Sequence, residues 1–187
     1  MSNLKIAIIV GSTRPGRNSK AVADWVALKA KSRTTADYEL VDLADYPLPH
    51  FDQALPPTMG QYDGERAKAW AAKIGGYDGF IFVTPEYNHS TSGVLKNAID
   101  HLYAEWNNKA AGFVSYGAAG GARAVEHLRG ILSELQVAHV RQQVTFSMFS
   151  DFENFSIFNP GPQHDGFADE LFGQLEAWSG ALKPLRS

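Results

Sequence analysis

Residues 11–18, with the sequence GSTRPGRN, have the composition of a phosphate-binding loop. They follow the apolar run LKIAIIV and precede a segment with helical spacing of apolar residues. Backbone N–H groups at a helix start, together with the helix dipole, favour a bound anion. Hydroxyl, amide and guanidinium groups add donors that suit phosphate oxygens. The candidate donors in this first loop and at the helix start are Ser12, Thr13, Arg14, Arg17, Asn18 and Ser19.

The glycine spacing of the first loop is that of a P-loop, but the residues that hold a triphosphate are missing. Arg17 and Asn18 stand where the pattern G-x-x-x-x-G-K-[ST] requires Lys and Ser or Thr. That lysine contacts the β- and γ-phosphates and that hydroxyl contacts Mg²⁺. The dinucleotide pattern G-x-G-x-x-G is also absent here. The first loop therefore suits a single phosphate bound without a metal, and a helix turn with two solvated arginines is the alternative.

Two further loops follow apolar strands and have unusual composition. In the second loop, residues 84–93 (TPEYNHSTSG), Pro85 restrains the backbone and Tyr87 offers an aromatic face. Its polar residues could cradle a flat heterocycle, or Ser92 or Thr91 could simply cap the next helix. The third loop, residues 115–122 (SYGAAGGA), has three glycines, which allow the backbone to approach a ligand closely or to make plain turns.

Alternating strands and helices position these loops. The predicted strands lie at residues 4–10 and 38–43, at the starts of 79–93 and 109–135, and at 138–148. The predicted helices cover 19–32, 65–77, 94–106 and 165–183, and one more helix occupies the end of segment 109–135. Such alternation predicts an α/β doubly wound domain, here one domain over residues 1–187. Ligands of open α/β sheets bind beyond the carboxyl ends of the strands, so all three loops should meet at one edge.

Composition excludes several classes of function. The chain has 187 residues, a net charge of −3 and no cysteine. Without a basic stripe, we expect no nucleic-acid partner. Without cysteine there is no disulfide, thiolate nucleophile or iron–sulfur cluster. The apolar run near the N-terminus is too short to span a membrane and lacks a cleavage site, which predicts a soluble, cytoplasmic protein with no membrane partner. Neither a histidine pair for a metal nor a G-x-S-x-G elbow is present.

The three loops together resemble the NAD(P)H-dependent FMN reductases, the flavodoxin-like group of quinone, azo-compound and chromate reductases. The resemblance rests on GSTRPGRNS, TPEYNHSTSGVLKNAIDHL and SYGAAGGARA, and extends over residues 4–135. It implies a flavodoxin-like doubly wound five-stranded parallel sheet, in the order 2-1-3-4-5, with helices on both faces. It also implies one bound FMN per subunit, with NADPH or NADH as co-substrate, in a homodimer or homotetramer.

The resemblance also assigns positions in this chain to FMN. The first loop would take the phosphate through Ser12, Arg14, Asn18 and Ser19, with Arg17, although many members have a serine where Arg17 stands. The second loop would follow the isoalloxazine edge through Pro85, Glu86, Tyr87 and Asn88. The third would close over the ring through Ser115, Tyr116, Gly117 and Gly120.

The implied activity is a ping-pong transfer of two electrons from NAD(P)H through FMN to a small-molecule acceptor such as a quinone or free flavin. FMN carries this chemistry, so no catalytic side chain is assigned. The alternatives are a flavodoxin-like electron carrier, for which a net charge of −3 is weakly acidic, a non-catalytic flavin-binding module, and a degenerate P-loop domain. The aromatic segment 146–162 either packs on a partner subunit or roofs the active site.

Overall fold

The computed structural model describes residues 3–186, and its centre is a five-stranded parallel sheet. The strands are β1 (Leu4–Val10), β2 (Ala36–Asp42), β3 (Gly79–Pro85), β4 (Lys109–Gly117) and β5 (Val137–Ser147). Their order across the sheet is β2-β1-β3-β4-β5, and every neighbouring pair is parallel. The predicted fold class and strand order are therefore confirmed.

Helices connect the strands and cover both faces of the sheet. They are α1 (Ser19–Ala30), α2 (Glu65–Gly75), α3 (Gly93–Asp100), α4 (Ala122–Glu134) and α5 (Gln163–Leu182). One core lies on the α1 and α5 side, and the other lies on the opposite side, around Trp70 and Trp106. Both β3 and β4 are buried along their whole length, which explains their near-continuous apolar sequence. Within residues 3–186, no helix has the length and apolar character that a membrane span requires.

Two predicted segments differ from the structure. The helix predicted at 94–106 ends at Asp100, because Trp106 turns into the core, with its ring centroid 4.9 Å from that of Phe80 and its indole N–H donating to the Ile99 carbonyl at 3.1 Å. Residues 151–165, predicted to be irregular, contain a small antiparallel hairpin, β6 (Phe152–Glu153) with β7 (Ile157–Phe158). The hairpin forms because its inner aromatic side chains pack against the core.

A buried carboxylate fastens α5 to the start of β2. Glu176 is 8% exposed and accepts two hydrogen bonds from the Arg33 guanidinium, at 2.9 and 2.7 Å, and one from the Tyr38 hydroxyl at 2.8 Å. Burial acts to raise the pKa of Glu176, but hydrogen bonds from Arg33, Thr35 and Tyr38 outweigh it and hold this pKa below its usual value. The carboxylate therefore stays ionised at neutral pH and keeps α5 attached to the start of β2.

Candidate functional site

The three loops meet at the carboxyl edge of the sheet, as parallel strands in this order require. The Ser12 hydroxyl of the first loop lies 3.0 Å from the Tyr87 hydroxyl of the second. The Glu86 N–H of the second loop donates to the Tyr116 carbonyl of the third at 3.0 Å. The sequence therefore correctly predicts that the three loops converge.

Gly11 fixes where the first loop leaves β1. Its N–H donates to the Val83 carbonyl at 2.8 Å, and its carbonyl accepts the Ser92 hydroxyl. A Cβ at this position would lie 2.6 Å from the Val83 oxygen and 2.9 Å from Leu95 Cδ2. Only glycine allows the first loop to pass this close to β3 and α3.

The first loop leads into an uncapped helix N-terminus. Asn18 occupies the N-cap position of α1, but its side chain does not cap the helix, and the first turn contains no acidic residue. Val22 N–H bonds to the Asn18 carbonyl at 3.1 Å, so the N–H groups of residues 19–21 precede the first helical hydrogen bond. Such free N–H groups, at the positive end of the helix dipole, are suited to an anion.

Buried polar atoms without a partner gather around this helix start. Among the described residues, they include Arg17 Nε, the Ser19 hydroxyl and the Tyr116 hydroxyl. Ser19 is fully buried and Tyr116 is 5% exposed. Burial, and to a lesser extent the neighbouring Tyr87, raise the pKa of Tyr116 and outweigh the opposing effect of the nearby Ser19, so the Tyr116 hydroxyl remains protonated and able to donate. Because buried polar groups almost always have a partner, this cluster indicates an acceptor that the chain does not itself supply.

The two arginines of the first loop have different surroundings. Arg17 is half-buried and donates to the Asp42 carboxylate, at 2.5 Å, at the end of β2. Arg14 is exposed, and its Nε lies 3.4 Å from the Tyr87 hydroxyl. No carboxylate within residues 3–186 forms an ion pair with Arg14. The positive charge of Arg14 is therefore available to an anion. The charge of Arg17 is neutralised by Asp42, so it is mainly the Arg17 Nε that can donate to a ligand.

The second loop is a tight hairpin turn. Tyr87 and Ser90 exchange two backbone hydrogen bonds, at 2.9 and 3.1 Å, and the residues between them, Asn88 and His89, have φ angles of +48° and +71°. This is the geometry of a type I′ turn, and it leaves the Asn88 side chain exposed at the tip. Ser92 caps α3 by accepting the Leu95 N–H at 3.2 Å, which confirms one of the predicted caps.

The third loop is shaped by its own contacts. The Ser115 hydroxyl is fully buried and donates to the Gly120 carbonyl at 2.7 Å, and the Gly120 N–H donates to the Gly117 carbonyl at 3.1 Å. Ser115 therefore holds the loop in shape. Gly121 has a φ of +77°, and a Cβ there would lie 2.6 Å from Ser115 Cβ.

Glu86 links the second loop to the helix after the third. Its side chain is 5% exposed, forms an ion pair with the Arg123 guanidinium and accepts the Arg123 backbone N–H at 3.2 Å. The N-cap residue of α4, Gly121, has no side chain to cap that helix, so Glu86 supplies the cap from another loop. The Glu86 carboxylate is thus committed to α4, and its backbone is what faces the third loop.

Sequence reasoning missed several partners at this edge. Asp42, Arg123 and Phe155 were not predicted as neighbours of the loops, although Asp42 ends a strand at the same edge and could have been placed there. Thr13 lines a cavity of about 280 Å³ together with residues 43–44 and 46–48 and one face of α3, at Val94, Asn97 and Ala98. The segment that follows β2 therefore forms one wall beside the first loop.

The sequence matches the family described as NADPH-dependent FMN reductase over residues 4–151. The chain belongs to this family. A NAD(P)H-dependent FMN reductase of Schizosaccharomyces pombe is 46% identical, with 75% of this chain and 72% of the relative covered. A quinone reductase of Escherichia coli strain K12 is 34% identical over 98% of this chain and 97% of the relative. The solved structure of the flavoenzyme NAD(P)H:(acceptor) oxidoreductase of Paracoccus denitrificans is 22% identical, with 93% of this chain and 98% of that chain covered. The TM-score of 0.73 shows that the two proteins share a fold.

As a member of this family, the chain is an oxidoreductase that uses NAD(P)H and FMN. The unpartnered Arg17 Nε and Ser19 hydroxyl, the uncapped N–H groups of α1 and the exposed Arg14 are all donors, and the first turn of α1 has no acidic residue to repel an anion. This donor set fits the terminal phosphate of FMN.

Proposed function

We propose that residues 1–187 form one FMN-binding domain, which transfers two electrons from NAD(P)H through bound FMN to a small-molecule acceptor in a ping-pong cycle. The observation that carries this proposal is the cluster of unpartnered buried donors at the start of α1. The quinone reductase relative supports a quinone as acceptor, and the FMN reductase relative supports free flavin.

In this proposal the first loop and the start of α1 bind the FMN phosphate. The Ser19 hydroxyl, Arg17 Nε and the exposed guanidinium of Arg14 donate to it, together with the N–H groups of residues 19–21. The Tyr87 hydroxyl, which bonds to Ser12 and approaches Arg14, orients both residues. The remaining first-loop contacts are assigned to Thr13 and Asn18.

The second and third loops border the isoalloxazine ring. When bound, FMN accepts two electrons from a reduced nicotinamide and passes them to the acceptor. The proposed contact residues are Pro85, Glu86, Tyr87, Asn88, Ser115, Tyr116, Gly117 and Gly120. Glu86 and Ser115 would act through their backbone, because their side chains are bonded to Arg123 and Gly120.

Two contacts hold these loops rigid, which is a condition for preorganised stabilisation of charge. The Glu86–Arg123 pair ties the second loop to α4, and the Ser115 hydroxyl ties the third loop to itself. Backbone N–H groups held in this way do not need to reorganise as the electron density of a bound ring changes. Because FMN carries the electrons, the transfer needs no side-chain acid or base.

We also propose a cytoplasmic homodimer or homotetramer with no nucleic-acid or membrane partner. The resemblance of the three loops to the reductase family supports the assembly, and the net charge of −3, without a basic stripe, is consistent with a small-molecule partner. Sedimentation equilibrium of the FMN-loaded protein would measure the subunit number, and a monomer at micromolar concentration would contradict this part of the proposal.

Steady-state kinetics test the proposed cycle. With NADPH or NADH varied at several fixed concentrations of 1,4-benzoquinone, we expect parallel double-reciprocal lines, because the oxidised nicotinamide leaves before the acceptor binds. Protein stripped of FMN is the control and should show no turnover until FMN is restored. Intersecting lines would contradict the ping-pong order. Bound flavin that supports no turnover with either nicotinamide would favour a carrier or a non-catalytic flavin-binding module.

A further inference from the structure

The fold gives the Tyr116 hydroxyl no hydrogen-bond partner. Tyr116 is the next to last residue of β4, its side chain lies in the core on the α1 and α5 side, and the residue is 5% exposed. Within residues 3–186, no group bonds to this buried hydroxyl. An unpartnered buried hydroxyl lowers stability, and phenylalanine would fill the same space without that cost. The hydroxyl therefore indicates an acceptor that comes from outside the chain.

The neighbours of this hydroxyl place it at the start of α1. The hydroxyl and the backbone N–H of Ser19 lie close enough to act on the pKa of Tyr116, and so does the guanidinium of Arg14. The Ser19 hydroxyl is fully buried and, like that of Tyr116, has no partner among the described residues. The two hydroxyls thus lie near each other without bonding. Because buried polar groups almost always have a partner, the pair is suited to share one acceptor.

The electrostatics of this position favour an anion as the acceptor. The N–H groups of residues 19–21 precede the first helical hydrogen bond of α1 and lie at the positive end of its dipole. The exposed Arg14 adds a positive charge. The oxidised flavin ring is neutral, whereas the phosphate of FMN is negatively charged. The charge around the Tyr116 hydroxyl therefore suits the phosphate end of FMN and not the ring.

Packing fixes the Tyr116 side chain before a ligand binds. The Tyr116 carbonyl accepts the Glu86 N–H at 3.0 Å, and its backbone pairs with Phe146 of β5. The Tyr116 ring packs against Phe152 of the β6–β7 hairpin, with ring centroids 5.8 Å apart. A ligand that accepts a hydrogen bond from this hydroxyl does not have to order the side chain first.

We propose that the Tyr116 hydroxyl donates a hydrogen bond to the terminal phosphate of FMN, an inference that rests on the proposed function. The backbone of Tyr116 remains in the third loop beside the ring, so this one residue contacts both ends of the cofactor. Burial raises the pKa of Tyr116, so the hydroxyl keeps its proton beside a phosphate at neutral pH. A hydrogen bond from a hydroxyl to a charged oxygen is stronger than one between neutral groups.

Tyr116→Phe removes the hydroxyl and keeps the ring that packs on Phe152. Fluorescence titration of the flavin-free protein should show about tenfold weaker binding of FMN, which corresponds to about 1.4 kcal/mol. The affinity for riboflavin, which lacks the phosphate, should stay within about twofold of the parent. The midpoint of urea unfolding of the flavin-free variant should be no lower than that of the parent, because no unpartnered hydroxyl is buried in the variant.

Tyr38→Phe is the matched control, since it deletes the same atom from another tyrosine. The Tyr38 hydroxyl donates to Glu176 at 2.8 Å, near the start of β2 and away from the three loops. Its removal takes a donor from a buried carboxylate, so the midpoint of urea unfolding should fall. The affinity of Tyr38→Phe for FMN should equal that of the parent.

Three results for Tyr116→Phe would overturn the inference. The first is an unchanged affinity for FMN. The second is an equal loss of affinity for riboflavin, because the hydroxyl would then contact the ring. The third is a lower midpoint of urea unfolding, because the hydroxyl would then have a partner within the chain.

Inorganic phosphate separates this inference from the proposed function. If the parent protein binds no flavin, or binds flavin that neither nicotinamide reduces, the proposed function fails. Inorganic phosphate should still raise the midpoint of urea unfolding of the flavin-free parent, because it binds only the folded state, and the rise should be smaller in Tyr116→Phe. An equal rise in the two proteins, or no rise in the parent, would overturn the inference.

Discussion

Arg14→Ala is expected to raise the dissociation constant of FMN about thirtyfold, equivalent to about 2 kcal/mol. Arg14 is exposed and has no carboxylate partner in the described part of the chain, so its charge is available to a phosphate. Arg17, by contrast, is neutralised by Asp42. Fluorescence titration with FMN and with riboflavin measures the effect, and riboflavin affinity should stay within about twofold of the parent because riboflavin lacks the phosphate.

Two variants sharpen this test of the phosphate assignment. Arg14→Lys keeps the charge but loses the planar fork, so we expect an intermediate FMN affinity. Lys20→Ala removes another exposed cation from the first turn of α1, but Lys20 is paired with Asp24 at 2.5 Å, and we expect FMN affinity to change by less than about twofold. Arg14→Ala protein that binds FMN as tightly as the parent would refute the assignment, and an equal loss for riboflavin would mean that Arg14 shapes the loop instead.

Gly121→Ala is expected to lower the free energy of unfolding by about 3 kcal/mol. The position has a φ of +77°, and the added Cβ would lie 2.6 Å from Ser115 Cβ and 2.9 Å from the Tyr116 nitrogen. Both neighbours belong to the end of β4 and cannot move without displacing the third loop. Urea unfolding followed by circular dichroism measures the change, and a domain of this size should lose roughly 9 °C in melting temperature.

Gly130→Ala is the matched control for Gly121→Ala. Gly130 lies inside α4 and has no left-handed φ, and a Cβ added there would meet no heavy atom within 4 Å beyond the neighbouring helix backbone. Replacing it should stabilise the protein by about 0.5–1 kcal/mol, because alanine loses less backbone entropy in a helix. FMN affinity should fall in Gly121→Ala and stay unchanged in Gly130→Ala. Equal stability of the two variants would show that Gly121 does not pack against Ser115.

The elements that position the site could be predicted because their sequence signals are local and repeated. β1, β3 and β4 are buried runs of apolar residues, and each is followed by a polar or glycine-rich loop. Parallel strands place such loops at one edge, so the convergence of the three loops follows from the order of the elements. The Ser92 cap of α3 is equally local, since its acceptor and donor are three residues apart.

The side-chain environment of the site could not be predicted, because its partners are distant in sequence. Arg14 and Arg17 are the same residue type in one loop, and only the approach of Asp42, 25 residues after Arg17, distinguishes them. Asn18 is typical of a helix cap, yet its side chain bonds to Phe155, 137 residues away. The β6–β7 hairpin has strands of two residues each, too short for an alternating pattern to be recognised.

The measurement that tests the central claim most directly is a visible absorption spectrum of the purified protein, recorded after incubation with FMN and desalting, and then after addition of NADPH without oxygen. We predict a flavin spectrum that survives desalting and bleaches when NADPH or NADH is added. A colourless protein after desalting would contradict the assignment of the first loop and the start of α1 to the FMN phosphate. Retained flavin that neither nicotinamide bleaches would contradict the proposed reductase activity.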